Sequence, residues 1–82
     1  MHPMPSCRII MVRGTGAVSE DWGEFDFVAL PSPADRLQVI RDGTENYATV
    51  LSVHHQPSPV GSGHPPIAEV VAKWTGSGAK LR

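Results

Sequence analysis

Glycine and proline punctuate this chain so often that no long helix can run through it. There are eight of each in 82 residues, well above the usual combined share of roughly 12 %. Proline removes a backbone donor and clashes inside a helix, and glycine favours turns. What lies between them is short and rich in β-branched residues, the pattern of brief strands joined by tight loops.

Five such runs stand out. Residues 7–12 hold Ile9, Ile10, Met11 and Val12. Residues 25–30 would place Phe25, Phe27 and Ala29 on one face. In 36–41, Leu37 and Val39 share a face; in 67–74, Ala68, Val70, Ala72 and Trp74 do. The fourth run is 47–54, along which a bulge could shift the side-chain phase midway. The core expected from these faces is Ile9, Met11, Phe27, Leu37, Val39, Val50, Val53, Val70 and Trp74.

Asp42-Gly43 is the strongest turn signal and predicts a hairpin between the third and fourth runs. Ser32-Pro33-Ala34-Asp35 reads as a helix start, with serine at the N-cap and proline at the first helical position. That leaves two readings, a helix over 33–42 or a short helical turn at 33–35 leading into a strand. The Asp-Gly turn and the strand-like run after it favour the second. Residues 56–66, with four prolines and two glycines, read as an exposed hairpin loop, and 75–82 as a flexible tail.

The expectation is therefore one all-β domain over 1–74. Five short strands bury a face best by curling into a small antiparallel barrel. With Cys7 as the sole cysteine, no disulfide can form within the chain, which suits a reducing compartment. No charged-then-apolar leader opens the sequence, and the longest apolar run, Ile9 to Val12, falls far short of the ~20 residues of a membrane helix. The predicted location is the cytoplasm, with no membrane association.

Residues 30–74 resemble small SH3-like barrels of bacterial and plastid proteins. The order of features matches: Leu30-Pro31, then Asp35-Arg36-Leu37-Gln38-Val39, a turn, Tyr47 to Val53, a long loop and a final apolar strand. Ala34 stands where that family usually has glycine. The resemblance implies a five-stranded SH3-like barrel, a scaffold that serves many binding roles. Plasmid-borne type II dihydrofolate reductases are similar in size, but their Val-Gln-Ile-Tyr motif is absent and Leu37-Gln38-Val39-Ile40 only echoes it, so no activity is implied.

Residue chemistry yields no catalytic, metal or cofactor site. His54 and His55 are neighbours and would point to opposite faces of a strand, and no zinc-ligand motif accompanies them. His55 and His64 could approach each other only across the base of the loop. Ser52 and His54 share a face but lack a nucleophile elbow. Gly14-Thr15-Gly16 is too short for a phosphate cradle. The acids Asp21, Glu24 and Asp26 read as an exposed stretch, and Cys7 as a buried thiol. The net charge of −1 and the few scattered basic residues give no indication of nucleic-acid binding.

What is left is an interaction module that meets a protein partner through loops or edges. Its candidate contact residues are Trp22 and Glu24 in the acidic stretch, and His55 and His64 at the proline loop. The alternative is a homo-oligomer that binds a small molecule, or acts as an enzyme, at a site formed between subunits; the paired apolar residues Ile9-Ile10 and Val70-Val71 motivate it.

Overall fold

The computed structural model describes residues 5–14 and 18–78. Those residues form five strands and no helix: β1 (Ser6–Val12), β2 (Ser19–Asp26), β3 (Arg36–Arg41), β4 (Thr44–Gln56) and β5 (Ile67–Ser77). They lie in one sheet in the order β2-β1-β5-β4-β3. Residues of both edge strands join one core, with Trp22 and Phe25 from β2 packing alongside Leu37 and Val39 from β3. The sheet is thus curled into a half-barrel, and no ladder joins β2 to β3.

The expected all-antiparallel arrangement is corrected. β1 and β5 run parallel, with Cys7 opposite Ala68 and Met11 opposite Ala72, while the other three pairs are antiparallel. Both central strands are buried on the inner face at alternate residues, as their sequences imply. β5 also continues to Ser77, three residues into the stretch expected to be tail, and the Gly78 N–H donates to the Glu45 carbonyl at 3.1 Å. Thr15, Gly16, Lys80 and Arg82 lie outside the described residues.

The second strand is displaced from its expected position. It covers 19–26, and 27–35 carries no strand; Val28 is 91 % exposed. A bulge explains how an acidic run becomes half of a core strand. Ile9 faces Gly23 and Ile10 faces Asp21, which leaves Trp22 as the extra residue beside Gly23 at φ +91°. The bulge reverses the alternation, so Trp22 and Phe25, three apart, both turn to the core. Asp21 and Glu24 then both turn outward to Arg8 on β1.

At 32–35 the chain makes a turn and not a helical turn. The Asp35 N–H donates to the Ser32 carbonyl at 3.0 Å, and Ala34 sits at φ +80°. Pro33 then a left-handed residue is the signature of a type II turn, whose third position suits glycine. The turn is tied to β4, since Ala34 N–H donates to the Val50 carbonyl and Val50 N–H to the Asp35 carbonyl, both at 2.8 Å. Strand β3 follows it directly, so a helix over 33–42 is excluded. Asp42 and Gly43, at φ +53° and +79°, form the two-residue hairpin that their sequence predicts.

β4 shifts phase midway. Asn46, Ala48 and Val50 are buried in alternation, Leu51 bulges outward, and Val53 packs against the core again. Of the expected core, Ile9, Met11, Val39, Val50 and Val70 are buried, and Phe27, Leu37, Val53 and Trp74 are partly buried against them. Cys7, Trp22, Ala48, Ala68 and Ala72 complete it.

Candidate functional site

The half-barrel leaves a seam where a closed five-stranded barrel would have its fifth interface. β1, β5 and β3 run in one direction and β2 and β4 in the other, so the two lips of the seam, β2 and β3, run antiparallel. Between them lies a groove of about 320 Å3. Ile9, Phe25, Phe27, Leu37 and Val39 form its apolar lining, with Asp26 and Arg36 at one end.

The two lips differ. β2 is interrupted by its bulge and carries four acids, features that blunt an edge against further pairing. β3 pairs with β4 in unbroken register over all six residues and contains neither proline nor glycine. No strand among the described residues pairs with its other edge, and Ile40 beside that edge is 65 % exposed.

The seam ends in a polar cleft of about 250 Å3 among Arg13, Trp22, Arg41, Asp42, Asn46 and Trp74. Arg41 has the inward parity of Leu37 and Val39, and its guanidinium lies 4.6 Å from the centre of the Trp22 ring. Arg13 lies 4.8 Å from the Trp74 ring and 5.9 Å from that of Trp22. Asn46 is the strut of this end. Its Oδ1 accepts from the Trp74 indole at 3.1 Å, and its Nδ2 donates to the Val39 and Thr44 carbonyls. The Trp22 indole N–H donates to Glu20 Oε1 at 2.9 Å, and this bond, assisted by Arg13 and Arg41, holds the Glu20 carboxyl below the usual glutamate range. Arg13 Nε is 3.4 Å from the same oxygen, yet it is buried without a formed hydrogen bond.

The acids of β2 are engaged. Arg8 reaches Asp21 at 3.0 Å and Glu24 at 3.3 Å, and Asp26 accepts from Ser6 Oγ at 2.7 Å. Asp21 is pulled below the ordinary aspartate range, first by the Gly23 backbone N–H at 2.9 Å and then by Arg8. By contrast, Arg36 and Arg41 of β3 have no carboxylate partner among the described residues.

The four residues expected to make contacts are not brought together. Trp22 is a core residue at the cleft, only 7 % exposed. Glu24 lies on the outer face with Arg8. His55 lines a separate apolar cleft at the opposite end of the sheet with Pro5, Leu30, Pro57, Pro66 and Ile67. His64 is in the loop, its backbone N–H donating to Ser62 Oγ. No group of three or more His, Cys, Asp or Glu side chains among the described residues could hold a metal ion. Ser52 Oγ and His54 Nε2 are 3.0 Å apart on an exposed face, with no acid shown orienting the imidazole. Cys7 is buried, and burial pushes its thiol pKa up, away from the reactive thiolate.

Arg36 and Arg41 were missed by sequence reasoning. The signal for Arg41 was its parity with Leu37 and Val39, which marks an arginine at the end of an inward-facing row. No helix among the described residues is long and apolar enough to cross a membrane. Compared with known proteins, the chain matches no family model, and no curated protein or solved structure is significantly similar to it.

Proposed function

We propose that this protein is a non-enzymatic interaction module that receives an extended segment of a partner protein along the seam of its half-barrel. One observation carries the reading: β3 is a regular edge, free of bulge, proline and glycine, that borders an apolar groove. An added strand would pair its backbone with β3 and place alternate side chains in the groove, which is how strand addition combines affinity with selectivity. The resemblance of residues 30–74 to SH3-like barrels supports a binding role, since several such barrels are binding modules. In this reading Trp22 shapes the groove's end from within, and the outer charges of β2 keep that lip from pairing.

The test is amide hydrogen exchange, read by NMR, of the full chain with a synthetic peptide of alternating threonine and valine. Slowed exchange confined to the outward amides of β3, with shifts at Phe25, Phe27 and Leu37, is expected. Unchanged exchange along β3 at millimolar peptide overturns the reading. Protection that grows with protein concentration and needs no peptide would assign the edge to a second copy of the chain instead.

A further inference from the structure

The charges bordering the seam are unequal in a way that defines what it accepts. On the β2 lip every acid already has a partner: Asp21 and Glu24 have Arg8, Glu20 has the Trp22 indole and Arg13, and Asp26 has Ser6. On the β3 lip the arginines at the two ends have no carboxylate within 4.0 Å among the described residues, Arg41 acting on Glu20 only from a longer distance. Arg41 is the better prepared of the two. One face of its guanidinium is covered by Trp22. Stacking leaves the in-plane N–H fork available for a bidentate carboxylate and lowers the cost of desolvating it. Beside it, Arg13 is already committed, its Nε lying 3.4 Å from Glu20 Oε1.

Asp42 also lines this cleft. It occupies the hairpin turn and makes no ion pair with Arg41 within 4.0 Å, so it leaves the fork open.

We propose that the partner segment is acidic at two defined positions, a reading that rests on strand addition at β3. Residues opposite one another in adjacent strands point to the same side of the sheet. A residue opposite Arg41 therefore points inward, into the Trp-lined cleft, and one opposite Arg36 points outward. Between them, the residues opposite Val39 and Leu37 point into the apolar groove. Running antiparallel to β3, with its first residue opposite Arg41, the segment is thus a hexapeptide with an acid, a variable residue, an apolar residue, a variable residue, an apolar residue and a second acid. The acids lie five residues apart, about 16 Å along an extended chain, and project to opposite faces.

Binding of four hexapeptides to the full chain tests this, read by NMR shifts of the Ile40 and Arg41 amides and by fluorescence. Both tryptophans of the chain, Trp22 and Trp74, line the cleft, so their emission reports on it directly. The peptides share valine at the third and fifth positions and carry aspartate at both ends, at the first only, at the sixth only, or asparagine at both. We expect the doubly acidic peptide to bind at least tenfold more tightly than the asparagine peptide, and to weaken as salt rises from 0.05 to 0.5 M. Arg41→Gln and Arg36→Gln should each abolish the preference at one end only. Equal binding by all four peptides with shifts along β3 overturns the acidic specificity and leaves strand addition standing. No shift with any peptide overturns both. If Arg41→Gln disturbs the packing of Trp22, the Arg36→Gln variant and the peptide comparison on the unmodified chain still decide the matter.

Discussion

The guanidinium of Arg41 stacks on Trp22, and the indole N–H of Trp22 in turn donates to Glu20. Trp22 therefore joins the two edges of the sheet at one end of the seam. It supplies apolar area to the core, a platform to β3 and a donor to β2. A residue so placed acts on stability before it acts on binding.

Trp22→Ala should lower unfolding stability by about 3 kcal/mol or more, the range for truncating a large buried aromatic. Trp22→Phe should recover much of that loss while abolishing the bond to Glu20. Urea denaturation followed by circular dichroism measures both. An alanine variant as stable as the parent would show that the indole is a detachable surface anchor.

Ala34 holds φ +80° in the turn that precedes β3. The left-handed conformation is costly for any residue with a Cβ, and glycine relieves that cost at some expense in unfolded-chain entropy. Ala34→Gly should therefore raise stability by about 0.5–1 kcal/mol, and Ala34→Val should lower it. Thermal melting of the two variants should bracket that of the parent.

The Glu20 and Asp21 carboxyls are both held below their ordinary ranges. A depressed folded pKa contributes stability that is present above the unfolded pKa and is lost as pH falls through the folded pKa. Stability should accordingly be flat near neutrality and decline only in the acid range, below the pH where free carboxylates titrate. Carboxyl carbon NMR should give midpoints lower than those of blocked model peptides. In Trp22→Phe, the Glu20 midpoint should move back up while that of Asp21, fixed by Gly23 and Arg8, stays in place.

Cys7 is 1 % exposed beneath Val50, Ala68 and Val70. A thiol-specific disulfide reagent should label it slowly in the native chain, and within seconds in guanidinium. Rapid native labelling would mean that the β1–β5 centre opens far more readily than its packing implies.

Much of this architecture is written in local pattern. Strands β3 and β5, the Asp42-Gly43 hairpin and the phase slip on β4 follow from alternation and turn chemistry within a few residues. Strand β2 does not, because what makes 19–26 a strand lies elsewhere in the chain. Arg8 compensates Asp21 and Glu24 across the ladder, and one bulged residue hides Trp22 among acids. Phe27 reaches the core as expected, but from the segment after that strand, and Phe25 joins it from the strand's end. The direction of β5 relative to β1 is likewise absent from either sequence, since both would read the same in a parallel or an antiparallel pair. The seam was illegible for the same reason: it is a property of which strands become edges.

The pairing of β1 with β5 also governs the timing of folding. The first and last described strands form the middle of the sheet, and Cys7 meets Ala68 there. Each of the two hairpins, β1–β2 and β3–β4, can form early, but neither has a core until the last strand arrives between them. Closing so large a loop is entropically costly and slows folding. A nascent chain on the ribosome would thus carry two unfinished hairpins with exposed Ile9, Met11 and Val50, and would commit to its native state only after β5 had emerged.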